Sequence, residues 1–300
     1  MVSTNNMFVV HYRKIFFLVS GILLLVSIAA MFVYDFRTSI DFKGGTLTEV
    51  KFSERPAQTE TELKIEALNM GGFSVRPSGD FNYTIRTKEL SLDERQELIQ
   101  TLGNPVVERQ NTIGPIAGAE LKSKAVKAVG VVMLMIVLFI TFAFSKVSRP
   151  VSSWKYGLAT IIALSHDVVI PTGIFVILGH YIGIEIDLLF VTGLLAILGY
   201  SVHDTIVVFD RVRENLHVNA EGNMKEEFET TVGKSVAQTF GRSINTSLTI
   251  FITLLALFLV GSPATKDFAL LLIIGVIIGT YSSIFVASPL LVTFYKWQKK

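Results

Sequence analysis

The stretch Leu188 to Phe209, LLFVTGLLAILGYSVHDTIVVF, decides the fold. Its 22 residues, rising about 1.5 Å each, cover roughly 33 Å against a bilayer hydrocarbon core of about 30 Å. Asp204 is its one acidic residue, and it holds no Lys or Arg. An ionised carboxylate deep in such a helix costs on the order of 3 kcal/mol. Either a function or a buried partner has to offset that cost, and both readings of Asp204 start from it.

Working outward, the same apolar character recurs. Half of the 300 residues are hydrophobic and 17% are charged, against roughly 25% charged in a soluble domain. The mean hydropathy is +0.53. Six spans are expected, at 14–34, 126–145, 157–178, 188–209, 246–262 and 268–295. The organisation that follows is a first unit, 1–34, with the N-terminus and span one. An extracytoplasmic soluble domain follows at 35–125. A five-helix membrane bundle fills 126–300, with a cytoplasmic loop at 210–245. Lys and Arg flank span one (Arg13, Lys14) and fill the loops after spans two and four (Lys146, Arg149, Lys155; Arg211, Arg213, Lys225, Lys234, Arg242). The loop at 179–187 has none. The positive-inside rule then places both termini in the cytoplasm. A cleaved signal peptide is disfavoured, because the apolar run from Ile15 to Val33 exceeds the usual core of about 7–15 residues.

The composition narrows the chemistry. Net charge is +2, with no basic stripe interleaved with aromatics, so nothing points to nucleic acid. Cysteine is absent, which removes thiol catalysis and thiolate metal sites. No GxxxxGK[ST] phosphate loop appears. No nucleophile–base pair or metal-ligand spacing is evident, so neither an enzyme nor a bound cofactor is expected. Energy for any transport must come from an ion gradient or a partner.

Between spans one and two the pattern changes to that of a small globular domain. Leu47–Phe52, Phe73–Arg76, Phe81–Arg86 and Val106–Gln110 read as strands, with a turn at Ser78-Gly79-Asp80. Thr59 to Met70 reads as a helix capped by Thr59. A second helix begins at Ser91, where Glu94 completes a capping box, and stops near Gly103. The βαββαβ order predicts a ferredoxin-like split fold. The fold class is thus a polytopic α-helical membrane protein, with six transmembrane helices and a small α+β outside domain between helices one and two.

Several blocks, in order along nearly the whole chain, resemble the SecF family of the bacterial protein-export machinery. These are Ile40-Asp41-Phe42-Lys43-Gly44-Gly45-Thr46, Ile113-Gly114-Pro115-Ile116-Ala117-Gly118, Ala163-Leu164-Ser165-His166-Asp167-Val168, Gly199 to Asn215, and Gly241-Arg242-Ser243-Ile244-Asn245-Thr246-Ser247. His203 is a local difference, since many relatives carry Asn there. The resemblance implies a multi-pass protein of the bacterial cytoplasmic membrane, related to the resistance-nodulation-division exporters. It implies pairing with SecD and work alongside the SecY channel complex and YajC, drawing a secreted preprotein outward at the expense of a proton or sodium gradient. It also implies an ion relay at Asp204 and Arg242.

Chemistry supplies roles for those residues. Burial favours the protonated carboxyl and a nearby cation favours the carboxylate. Arg242 stays charged, so it would act on Asp204 by approach and withdrawal. Ser201 and Thr205 neighbour Asp204 on its helix. Thr246, Thr249 and Thr253 line one face of span five. His203 is a polar neighbour or a proton carrier. Asp167 with His166 is either a second proton site or a polar patch against span four. Asp210, Arg211, Arg213 and Glu214 read as a solvated helix face or a cytoplasmic salt-bridge cluster, and 214–234 as an amphipathic helix or helix pair on the membrane surface. Asp41, Gly44 and Gly45, with Gly114 and Pro115, read as signature positions, the glycines forming a turn or a hinge. Gly275 and Gly279 give a small-xxx-small pair that packs inside the bundle or faces SecD. A half of a small-molecule exporter is the alternative function, although its outside loops would be much larger than this one.

Overall fold

The computed structural model describes residues 7–145, 151–224, 226–261 and 263–299. Six of its helices are long and apolar enough to cross a membrane, and the chain divides into two compact units.

The membrane unit comprises the chain up to Phe36, Ala128–Ile184 and Leu189 onward. A short α1 (Phe8–His11) leads into α2 (Arg13–Val33). The next spans are α6 (Pro115–Ala143), α7 (Ser153–Ile182), α8 (Leu188–Glu221) and α9 (Phe228–Val260). The last is composite: α10 (Pro263–Ser282), a π-helical segment (Ser283–Ala287) and α11 (Ser288–Lys299). The region 210–245 differs from the loop expected of it. Residues 210–221 continue α8 and 228–245 begin α9. Phe228 and Val232 are not the edge of a surface helix. They are buried in one cluster with Tyr156, Val208, Phe209 and Val212, so their apolar area is satisfied by helix–helix packing. Phe144 and Tyr156 stack at 5.2 Å, and Tyr156 meets Phe209 edge-on at 5.3 Å. The charges of the α8 extension pair along an exposed face, Arg213 with Asp210 and Arg211 with Glu214.

The small unit is Arg37–Lys127 together with Glu185–Leu188. It contains α3 (Ile40–Lys43), β1 (Gly45–Lys51), α4 (Gln58–Glu66), β2 (Phe73–Ser78), β3 (Asn82–Thr87), α5 (Leu92–Thr101) and β4 (Val106–Ile113). The strands form one antiparallel sheet in the order β2-β3-β1-β4, the arrangement a split βαββαβ chain adopts. Alternation along β3 sends Tyr83 and Ile85 into a core with Val50, Ile65, Val75, Leu90 and Leu98. The Ser91–Glu94 capping box is present at α5. At α4 the cap is Ala57 rather than Thr59, with no side-chain cap bond. The helix starts one residue before Thr59, and Thr61 donates to the Ala57 carbonyl instead.

Two sequence blocks meet in this unit. Gly44 and Gly45 have φ of +77° and +136°. A Cβ on Gly44 would lie 2.7 Å from the Pro115 Cα, and one on Gly45 would lie 2.5 Å from the Thr87 carbonyl oxygen. The pair is therefore a packed turn that only glycine fits. Gly114 sits beside it and Pro115 opens α6, where its missing N–H costs nothing. The segment Glu185–Leu188 is bound to the same unit. The Ser39 amide donates to the Ile186 carbonyl at 3.0 Å, and the Ile186 amide to the Arg37 carbonyl at 2.8 Å. The Leu188 amide, first in α8, donates to Asp41 Oδ2 at 3.0 Å. Glu185 pairs with Arg86 at 2.9 Å and Arg76 at 3.4 Å.

Candidate intramembrane carboxylate site

Two buried aspartates lie in the membrane unit, Asp167 on α7 and Asp204 on α8. Each is held by serine hydroxyls. Ser243 of α9 donates to Asp204 Oδ1 at 2.5 Å, and Ser283 of the π segment donates to Oδ2. Ser201 of α8 donates to Asp167 Oδ2, and Ser282 of α10 donates to the same oxygen at 2.7 Å. His166 Nδ1 lies 2.9 Å from Asp167 Oδ1. Consecutive residues, Ser282 and Ser283, thus serve different aspartates.

Glycine makes these contacts possible. A Cβ on Gly275 would overlap Ile197, and one on Gly279 would lie 3.1 Å from the Ser201 Cβ. The pair faces α8 inside the bundle, and the close approach puts Ser282 within reach of Asp167. A hydroxyl cluster adjoins the site. Tyr200 Oη lies 2.5 Å from Ser247 Oγ, which lies 2.6 Å from Thr280 Oγ1.

The residues singled out from sequence separate into two groups. Asp204, Asp167 and Ser201 are buried; Ser201 donates to Asp167, and the consecutive Ser282 and Ser283 donate to Asp167 and Asp204 in turn. Thr205 is also buried, with no hydrogen bond to either carboxylate among the described residues. His203 is exposed, and so is Arg242, which makes no ion pair with Asp204 among the described residues. One helical position turns a side chain by about 100°, so Ser243 takes the inward direction and Arg242 points off that face. The threonines 246, 249 and 253 are on the exposed side, donating to carbonyls of their own helix. Sequence reasoning missed Ser243, Ser282, Tyr200 and Thr280, and read Ser283 only as a continuation of the Gly275/Gly279 packing spacing. The signals that could have found them were Ser243 and Ser247 at i, i+4 and the Ser282-Ser283 pair inside an apolar span.

Hydroxyls stabilise a carboxylate but bring no charge, and no cation compensates Asp204 among the described residues. A carboxyl group can hold or release a proton. Uptake would change the hydrogen bonding. A protonated Asp204 becomes a donor at one oxygen, so one serine must turn from donating to accepting. Ser283 has an alternative acceptor for its proton, the Thr280 carbonyl at 3.0 Å. Charge at Asp204 is therefore linked to the hydrogen bonding of the π segment. Among the described residues, no group of three His, Asp or Glu side chains is placed to hold a metal ion.

A family model described as the C-terminal part of the protein export membrane proteins SecD and SecF matches residues 95–297. The chain belongs to the SecD/SecF protein-export family. Among relatives, the protein translocase subunit SecF of Thermobaculum terrenum is 38% identical, covering 97% of this chain and 94% of its own length. The SecF of Anaerolinea thermophila is 36% identical over 93% of this chain and 91% of its own. The crystal structure of SecDF from Thermus thermophilus, described as a translocon-associated membrane protein, superposes with a TM-score of 0.84 at 29% identity. That match covers 97% of this chain and 38% of the SecDF chain, so this chain spans less than half of that protein. SecDF in its super-membrane-facing form gives a TM-score of 0.67 at 30% identity, covering 98% and 39%. The family assignment and the six apolar helices make this a multi-pass membrane protein of the protein-export system.

Proposed function

We propose that this chain is a SecF-type translocase subunit that pairs with SecD, works beside the SecY channel and uses the proton-motive force to promote preprotein movement across the bacterial cytoplasmic membrane. It performs no enzymatic reaction and needs no cofactor in this reading, and both termini lie in the cytoplasm. Relatives named as translocase subunit SecF over nearly their full length support the assignment. One part of a two-part transporter has an incomplete pathway, which accords with the short span of this chain within SecDF.

The observation that carries proton coupling is the buried Asp204 carboxylate, met by two serine hydroxyls and by no cation among the described residues. Asp204 is the proton carrier. Ser243 and Ser283 report its charge to α9 and to the π segment. Asp167, Ser201 and Ser282 form the adjoining polar layer. Arg242, exposed on α9 in this conformation, reaches the carboxylate only if the helices rearrange.

The test is preprotein export in cells carrying Asp204→Asn, Asp204→Glu or the wild-type chain at matched membrane levels. Export that depends on the proton gradient is lost with Asn and partly kept with Glu. Equal export in all three would make Asp204 a packing residue.

A further inference from the structure

His166 is 1% exposed, and its Nε2 has no hydrogen-bond partner among the described residues. Its Nδ1 faces Asp167 Oδ1 at 2.9 Å, and its ring stacks on Tyr281 with centroids 6.1 Å apart. The Asp167 Oδ2 already accepts from two serine hydroxyls. In the tautomer whose Nδ1 hydrogen is donated to Asp167 Oδ1, Nε2 is left with a free lone pair and no partner among the described residues. A lone pair there is the acceptor for one proton. Uptake makes an imidazolium beside Asp167 and takes the pair from one net negative charge to zero, without breaking any hydrogen bond the pair now makes.

We propose that His166 and Asp167 form a second protonation site, linked to Asp204 through the adjacent hydroxyls of Ser282 and Ser283. The proposal rests on the reading of Asp204 as a proton carrier and extends it to a two-site relay. Ser282 holds Asp167, and the next residue holds Asp204. The π segment begins at that junction, and Ser288 Oγ donates back to the Ser283 carbonyl at 3.0 Å across five positions. Such segments inside α-helices recur at functional sites. The titratable groups around His166 are Asp167 on its own helix, Tyr281 from α10 and, beyond the serines, Asp204 from α8. Helix α2, which packs on α7, carries no Asp, Glu, Lys, Arg or His within Ile15–Val33. Ionisable sites that interact strongly titrate as a unit, and with consecutive serines holding the two aspartates the charge of one site acts on the proton affinity of the other. The Tyr281 hydroxyl donates to the Phe16 carbonyl at 3.0 Å and accepts from Ser20 at 3.4 Å, so its contact with His166 is through the ring.

The experiment is a pH titration of the full chain in lipid nanodiscs, labelled with 15N-histidine and followed by NMR. The chain has five histidines. The His166 signals are assigned by their loss in His166→Gln. Should that variant not fold, they are assigned by elimination with His11→Gln, His180→Gln, His203→Gln and His217→Gln. The expected result is a His166 ring protonated at Nδ1 at high pH that takes a second proton on acidification. Its midpoint shifts by on the order of one pH unit in Asp204→Asn, and Ser282→Ala reduces that shift. A His166 ring that keeps one protonation state throughout overturns the proposal, as does a midpoint unmoved by Asp204→Asn. The outcome is separable from the export test. Normal export in Asp204→Asn would remove the proton drive and leave the His166 titration standing, whereas a silent His166 would leave Asp204 as a single carrier.

Discussion

Asp41 offers the sharpest energetic test outside the membrane. Its carboxylate accepts the amide hydrogen of Leu188, the first residue of α8, at 3.0 Å. The first amides of a helix have no partner within it, so Asp41 serves as a cap supplied from elsewhere in the chain. It is itself held by the Ser39 hydroxyl, which accepts from the Asp41 amide at 3.1 Å. Removal of a capping side chain costs about 0.5–2 kcal/mol. The charge at the helix N-terminus contributes about 0.3–1 kcal/mol of that. The contact is solvent-accessible, so screening discounts the charge contribution. Asp41→Ala is therefore expected to destabilise the Glu185–Leu188 segment by about 1–2 kcal/mol, and Asp41→Asn, which keeps an oxygen acceptor, by less than about 1 kcal/mol. One to two kcal/mol is a factor of roughly 5–30 in an opening equilibrium. Hydrogen exchange of the intact chain in lipid, read on the peptide spanning 185–190, measures it directly. The Leu188 and Ile186 amides should exchange about 5–30 times faster in Asp41→Ala and only a few-fold faster in Asp41→Asn. Unchanged exchange in Asp41→Ala would refute the capping role. Equal acceleration in both variants would show that the charge, not the acceptor oxygen, holds the helix end.

Two further expectations concern packing and pH. Gly275→Ala places a methyl group against Ile197 where no space exists. It should lower stability by about 1–3 kcal/mol, visible as a lower thermal unfolding midpoint in detergent, and an unshifted midpoint would show that α8 and α10 separate freely. Burial pushes the Glu185 carboxyl above its ordinary value, against the pull of Arg86, Arg76 and Lys43. The folded chain therefore binds this proton more tightly than the unfolded chain. The contribution of Glu185 is fully present below the ordinary carboxylate value and is lost as pH rises through the raised one. Exchange at Glu185–Leu188, corrected for its intrinsic pH dependence, should accelerate across that window in the wild-type chain and stay flat in Glu185→Gln.

The membrane spans were legible because twenty apolar residues in sequence have no stable alternative to a helix in lipid. The strands of the small unit were legible because alternation has a period of two, and the Ser91 cap because its chemistry is local. Asp204 stood out for the same kind of reason: a carboxylate among apolar residues is costly wherever the rest of the chain lies. Its partners did not stand out. Arg242 and Ser243 are neighbours in sequence, and charge alone favoured the arginine. Helical rotation turned the serine inward instead. His203 adjoins Asp204 in sequence but is exposed, while His166, from another helix, is buried. Residues 214–234 read as amphipathic, yet the distinction between a surface helix and the extension of two spans depends on what covers Phe228 and Val232.

Sequence by itself thus determined the six spans and the βαββαβ domain, which follow from local periodicity, the family, which follows from sequence blocks shared in order with its members, and the presence of a carboxylate in the fourth span, costly within its own segment. Only the tertiary structure decided which hydroxyls meet Asp204 and Asp167, that Ser282 and Ser283 divide between them, and that Asp41 caps α8. Those hydrogen bonds join residues 34 to 147 positions apart. Their geometry is set by the rotation and close approach of packed helices and by how a distant segment docks, none of which a linear pattern encodes.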